Sequence, residues 1–220
     1  MVSLVPSVSE TLVAWGVTPV GVTRFCDQAG IATVGGTKDP NLERVVALEP
    51  DLVVMDEEEN RREDYEALGA RGLSVLALAV RDVADVEPEM ARLADALGVA
   101  RARLDPGPAR ATTTRAAVPI WRRPWRFLGP PTYGASLLFR AGVAVVPHDR
   151  GPYPGVSLEE VRDAAPEVVI APSEPYPFAE RHRAELETVA PVVFVDGRDL
   201  FWWGARTPGA LARLVAALAG

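Results

Sequence analysis

Aromatic side chains gather in the polar, proline-rich segments of this chain rather than in its apolar runs. Phe25, Trp121, Trp125, Phe127, Tyr133, Tyr153, Tyr176, Phe178, Phe201, Trp202 and Trp203 all stand there; of the five tryptophans, only Trp15 falls in a helical pattern. Rings so placed give flat apolar walls for a planar or ring-shaped ligand. Any single ring is better explained by packing between loop and body, but the set favours a binding site. Arg24, Arg198 and Arg206 stand beside these rings and could meet anionic groups, although an arginine on a loop is usually just solvated.

Nucleophilic and metal chemistry is poorly supplied. Cys26 is the only cysteine, so no intrachain disulfide and no cysteine cluster for zinc or iron–sulfur is possible. His148 and His182 are the two histidines. A site for bare zinc or manganese wants several histidines and carboxylates together, so no metal site is expected. There is no G-x-S-x-G elbow, no H-E-x-x-H and no G-x-x-x-x-G-K-[ST]. The segment VGGTKDP (34–40) is glycine-rich but lacks a dinucleotide fingerprint, and reads as a turn. The expectation is a binding protein without a cofactor of its own rather than an enzyme.

The elements that must carry these residues are legible. The 220 residues are 48% hydrophobic and 24% charged, ordinary for a globular protein. A formal charge of −7 argues against nucleic acid, whose phosphates demand a basic face. No apolar run approaches the ~18 residues of a membrane span. Short apolar runs alternate with helical patterns, the signature of βα units and parallel sheets. Strands are expected at 2–5, 20–22, 51–55 and 73–78. A capping box, Ser7-Val8-Ser9-Glu10, should open the first helix, and Gly16 should end it. Asp39-Pro40 should open the next, with Leu42, Val45 and Val46 inward. Another helix is expected over 61–71. Val83, Val86, Met90, Leu93, Ala94 and Leu97 recur at steps of three and four, predicting a long helix. A last amphipathic helix starts at Thr207-Pro208, with Leu211, Leu214, Val215 and Leu218 inward.

The second half repeats the first. NLERVVALEPDLVVM from Asn41 reads against SLEEVRDAAPEVVIA from Ser157, with Leu42 on Leu158, Pro50 on Pro166 and Asp51 on Glu167 at one constant offset. TLVAWGV ending at Val17 reads against SLLFRAGV ending at Val143. The fold class expected is therefore α/β: two Rossmann-like lobes with parallel sheets, joined by a long linker helix. The boundaries are 1–80 for the N-terminal lobe, 81–116 for the linker region and 117–220 for the C-terminal lobe. Ligands of open parallel sheets bind beyond the carboxyl ends of the strands, which directs attention to the loops after each strand and to a cleft between the lobes.

The segments VSLVPSVSETLVAWGVTPVGVTRFCD, VGGTKDPNLERVVALEPDLVV and SLEEVRDAAPEVVIA resemble the helical-backbone (class III) substrate-binding proteins of ABC importers, the family of vitamin B12-binding, iron–siderophore and haem receptors. The resemblance implies two lobes joined by one stiff helix, here about 83–103, with little hinge motion. It implies a small-molecule ligand in the inter-lobe cleft, corrinoid first, with haem or a ferric chelate as alternatives. Ligand contacts fall to Phe25, Trp125, Tyr133, Tyr153, Tyr176, Trp202 and Trp203. Phe25 stands where the B12-binding members have a tyrosine and Tyr153 where they have a tryptophan, whereas Thr37 and Asp56 replace tryptophans. Glu43 and Glu159, at matching places in the first turns of their helices, are implied to dock on an ABC permease, one per lobe. As bare helix-start carboxylates they would simply favour the macrodipole by ~0.3–1 kcal/mol. Glu58 and Glu174 are equivalent loop positions that could contact a cationic or metal-bearing ligand.

Met1 leads straight into VSLV with no basic n-region and no cleavage site. As written the chain is expected in the cytoplasm, and in the periplasm or at the cell surface if an export signal was trimmed or the start misassigned. A monomer is expected. A cytoplasmic binder of the same ligands, or an enzyme such as a chelatase on a similar scaffold, are the competing readings.

Overall fold

The computed structural model describes residues 1–27, 29–112 and 114–219. The chain divides into two compact units: Met1–Val80 with Asp85–Leu104 and Trp203–Ala205, and Arg81–Ala84 with Asp105–Trp202 and Arg206–Gly220.

The first unit is built on a five-stranded parallel sheet. Its strands are β1 (Val2–Ser3), β2 (Gly21–Val22), β3 (Ala32–Thr33), β4 (Val53–Asp56) and β5 (Val75–Leu78), in the order β3-β2-β1-β4-β5. Val2 and Ser3 pair with Gly21 and Val22 on one side and with Val53 and Val54 on the other. The central strands are buried along their length, as strands covered on both faces must be. Val2, Leu4, Val34, Val45, Val53, Met55 and Leu68 form the core. Helices α1 (Pro6–Ala14), α2 (Leu42–Ala47) and α3 (Arg62–Ala70) connect the strands.

Two expected helix starts move. Helix α1 begins at Pro6, with Val5 as an N-cap that makes no side-chain bond, so Ser7 and Ser9 lie inside the helix rather than forming a capping box. Proline is preorganised for the first helical position, and that fixes the start two residues earlier. Helix α2 begins at Leu42 under Asn41, whose side chain accepts from the Arg44 amide. Asp39, expected as its opener, instead takes two hydrogen bonds from Arg24.

The expected linker helix is shorter. Helix α4 (Val83–Leu97) buries Val86, Met90, Leu93 and Ala94. It ends because Gly98 adopts φ +64 and the Val99 amide bonds back to the Ala94 carbonyl. Residues 101–104 then fold back along it. The Arg101 guanidinium makes two 2.9 Å bonds to the Glu87 carboxylate, which also accepts from the Leu104 amide at 2.8 Å.

The second unit repeats this plan. Strands β6 (Thr114–Ala117), β9 (Val143–Val145), β10 (Val168–Pro172) and β11 (Val192–Val195) form a parallel sheet in the order β11-β10-β6-β9, matching β5-β4-β1-β2 of the first. Helix α5 (Tyr133–Arg140) corresponds to α1; Gly16 (φ +77) and Gly142 (φ +91) close them. Helix α6 (Leu158–Asp163) corresponds to α2 residue for residue. Its cap is a true capping box, Ser157 with Glu160. The repeat reaches the backbone itself: Glu49 and Ala165, each before its proline, both take positive φ, +45 and +48. Unforeseen is an antiparallel hairpin, β7 (Pro119–Trp121) with β8 (Arg126–Phe127), inserted after β6. Helices α7 (Arg183–Leu186), α8 (Gly197–Phe201) and α9 (Thr207–Leu218) complete the unit. Burial by itself would raise the Asp199 pKa, but the guanidiniums of Arg213 (2.6 Å) and Arg206 (2.7 Å) hold it below the usual carboxylate range, tying α8 to α9.

Candidate functional site

In each unit the parallel strands all end on one edge, and the residues with chemistry stand there. In the first unit the edge is organised by Asn60, which sequence reasoning missed. Its Oδ1 accepts from the Asp56 amide at 2.8 Å, while its Nδ2 donates to the Leu4 carbonyl at 3.1 Å and the Thr37 carbonyl at 2.9 Å. One amide thus ties together the ends of β4 and β1 and the loop after β3. Lys38 adds a bond to the Glu58 carbonyl at 2.6 Å. The available sequence signal was an asparagine directly after an acidic strand-end turn.

After β2, Phe25 is 51% exposed, with the Arg24 guanidinium 4.9 Å from its ring centre. Arg24 is held by its paired bonds to Asp39, and Gly36 makes room for it: a Cβ there would come within 2.8 Å of the guanidinium. Gly35 (φ +105) lets the chain turn against Pro40; a Cβ there would lie 2.6 Å from the Asp39 carbonyl. Gly35→Ala should therefore lower stability by more than about 1 kcal/mol and release the Arg24–Asp39 clamp, as chemical denaturation will show. Behind Phe25, Cys26 Sγ lies 3.3 Å from both Thr23 Oγ1 and Ser9 Oγ.

Asp56 ends β4 as a nearly buried carboxylate, 3% exposed. Its Oδ1 accepts from the amides of Glu58 (2.9 Å) and Glu59 (3.0 Å). Burial pushes its pKa up to about 6, against the pull of those amides.

In the second unit the hairpin and the loop after β10 bring aromatic rings together. Trp125 stacks on Phe178 with planes 6° apart, and Tyr176 lies 4.8 Å from Phe178. Trp121, 46% exposed, meets Tyr176 edge-on at 5.7 Å. Phe178 and Phe127 are buried beneath, so Trp121, Tyr176 and Trp125 form the accessible face of a ring cluster. His182 closes it underneath; its Nδ1 accepts from the Ala179 amide at 3.1 Å, and burial lowers its pKa. After β11, Trp202 is half-buried with Arg198 over its ring at 4.9 Å. Glu174 is half-buried beside it, its pKa raised by burial against the hydrogen bond from Trp202. Tyr153 is half-buried after β9.

Two of the expected ligand rings are placed differently. Tyr133 is 5% exposed, and its hydroxyl bonds to Thr207 Oγ1 at 2.9 Å. Trp203 is 4% exposed. Both are packed as core side chains. Glu43 and Glu159 stand in the first turns of α2 and α6 and are exposed; Glu43 is paired with Arg71 at 2.7 Å. His148 is exposed. Among the described residues, no group of three His, Cys, Asp or Glu side chains could hold a metal ion. Nor is any helix among them long and apolar enough to cross a membrane.

Residues 1–105 match the periplasmic binding protein family. The vitamin B12-binding protein of Salmonella choleraesuis (strain SC-B67) is 33% identical to this chain over 98 residues, covering 41% of this chain and 37% of that protein. The corresponding protein of Salmonella typhimurium is 34% identical over the same length. The chain thus spans about 37% of the length of the curated relatives it matches. A likeness of fold extends over nearly the whole chain. A periplasmic haem-binding protein, BhuT, solved with two haems, superposes with a TM-score of 0.83 at 22% identity, covering 99% of this chain and 97% of that one. The vitamin B12-binding protein of Vibrio cholerae gives 0.76 at 16%, covering 99% and 95%.

Proposed function

We propose that this chain is the substrate-binding protein of an ABC importer and that its ligand is a corrinoid. The observation that carries this reading is the set of accessible rings at strand ends: Phe25 in the first unit, and Trp121, Trp125, Tyr176 and Trp202 in the second. Such rings stack on a macrocycle and need no catalytic group to hold it. The 33% identity over 98 residues with a vitamin B12-binding protein supports a corrinoid over haem or a ferric chelate. A spectral screen tests it: cyanocobalamin should quench tryptophan fluorescence saturably, with haemin and a ferric catecholate weaker. Quenching only by haemin or the ferric chelate would reassign the ligand.

On this reading the partner is an ABC permease outside whose membrane face the chain works, met through Glu43 and Glu159. Glu43→Arg with Glu159→Arg should abolish ligand-stimulated ATP hydrolysis by the permease while the Kd for cyanocobalamin stays unchanged. The pair Glu43–Arg71 is exposed, so its loss should cost no more than about 0.5 kcal/mol of stability. Retained stimulation would return both glutamates to simple helix-start residues.

A further inference from the structure

The hairpin of the second unit is an addition to the repeated plan. In the first unit β1 passes to α1 through Leu4 and Val5 alone. Between β6 and α5 the second unit inserts β7 and β8, paired antiparallel with a register shift between Pro119 and Trp121. Two short strands make a marginal structure unless other contacts hold them. Phe127, 1% exposed, anchors one end opposite Pro119. Trp121 and Arg122 stand at the other end, where β7 runs into the turn.

The Arg122 guanidinium ties that end to two other segments. Its Nε donates to Glu185 of α7 at 2.8 Å, a contact that spans 63 residues. It makes a second side-chain hydrogen bond with Tyr176, in the loop after β10. Tyr176 is the ring that Trp121 meets edge-on at 5.7 Å, and it lies 4.8 Å from buried Phe178. The Arg122 and Glu185 side chains are 20% and 37% exposed. An ion pair so placed adds little to global stability. A planar guanidinium bonded to two groups nevertheless fixes their arrangement. Rings already fixed in place lose less freedom when a ligand covers them.

Resting on the reading of these rings as a ligand face, we infer that Arg122 is a positioning residue: by bridging Glu185 and Tyr176 it holds Trp121 and Tyr176 in the arrangement that receives the ligand. Arg122 acts through the rings rather than by touching the ligand. Glu185 stands one step further out, as the acceptor that orients the guanidinium.

The test is a set of full-chain variants titrated with cyanocobalamin and, ligand-free, followed by near-ultraviolet circular dichroism. Arg122→Met keeps most of the side chain's length and removes both hydrogen bonds. Freeing two rings should weaken cyanocobalamin about tenfold and reduce the aromatic bands. The melting temperature should fall by no more than about 4 °C. Tyr176→Phe keeps the ring and should weaken binding by a smaller factor; added to Arg122→Met it should cost nothing further. Glu185→Gln still offers an oxygen to Nε and should keep most of the affinity, whereas Glu185→Ala should not. Additive losses in the double variant, or weaker binding with unchanged bands, would overturn the positioning role. If the unaltered chain binds cyanocobalamin and Arg122→Met binds it equally, the inference falls while the ligand reading stands. If the unaltered chain binds haemin alone, the corrinoid reading falls, and the same variants titrated with haemin decide the inference. If it binds neither probe, the ligand reading falls and takes the inference with it.

Discussion

The stability of the protein should fall by about 3 kcal/mol through Asp56 alone as pH rises from 4 to 7.5, and Asp56→Asn should remove that slope. Burial is the dominant cause of the raised pKa, from the ordinary 3.8 up to about 6. A shift of about two units corresponds to about 3 kcal/mol between the two protonation states. The folded state binds the proton more tightly than the unfolded chain does. Stability from this group is therefore full below the unfolded pKa, is lost as pH rises from about 4 to about 6, and stays lost above. Asparagine does not titrate, so it removes that slope. Urea unfolding at pH 4, 5, 6 and 7.5 will show it as two curves of different slope between the acid end and neutrality. Parallel curves would mean that Asp56 is not the group that burial disfavours.

Removing an anchor ring should have a comparable effect on the complex. Phe25→Ala should weaken cyanocobalamin by about 2 kcal/mol, or about thirtyfold, as for a buried hot spot. Its ring is half exposed in the free chain and held in place by Arg24, so little is reorganised when a macrocycle covers it. Trp121→Ala should act similarly, because Trp121 is the exposed member of a cluster whose other rings are braced from below. Tyr133→Phe serves as the contrast. Its hydroxyl bonds to Thr207 inside the second unit, so that change should lower stability by about 1 kcal/mol and leave affinity alone. Calorimetric titration of the three variants separates these outcomes. Equal affinity for Phe25→Ala would remove the first unit's ring from the site.

What was legible in the sequence, and what was not, follows from range of interaction. Strand and helix identity came from local periodicity, and the repeat from register: Leu42 on Leu158 and Pro50 on Pro166 turned out to mark helices that match residue for residue and share a left-handed turn before the proline. Helix starts were misread where a second interaction claimed the capping position, local in one case and tertiary in the other. Pro6 overrode the Ser7 capping box, and the Arg24 clamp took Asp39 away from α2. The end of α4 was obscured because the residues after Gly98 continue to look helical in composition, while a tertiary pair, Arg101 with Glu87, folds them back. The hairpin after β6 was missed because Arg122, Arg123 and Pro124 read as an irregular loop.

For the site, exposure was the property that sequence could not supply. Phe25 and Tyr133 are both aromatic residues near a strand end, yet one is half exposed and the other is sealed against Thr207. Asn60 was invisible as an organiser because two of its partners, Leu4 and Thr37, are distant in sequence.

Isothermal titration of the purified full chain with cyanocobalamin, at several temperatures, tests the central claim most directly. A single saturable site per chain is expected, with a negative heat-capacity change from the apolar ring surface buried on stacking. No heat and no quenching with cyanocobalamin, alongside saturable binding of haemin or a ferric chelate, would contradict the assignment.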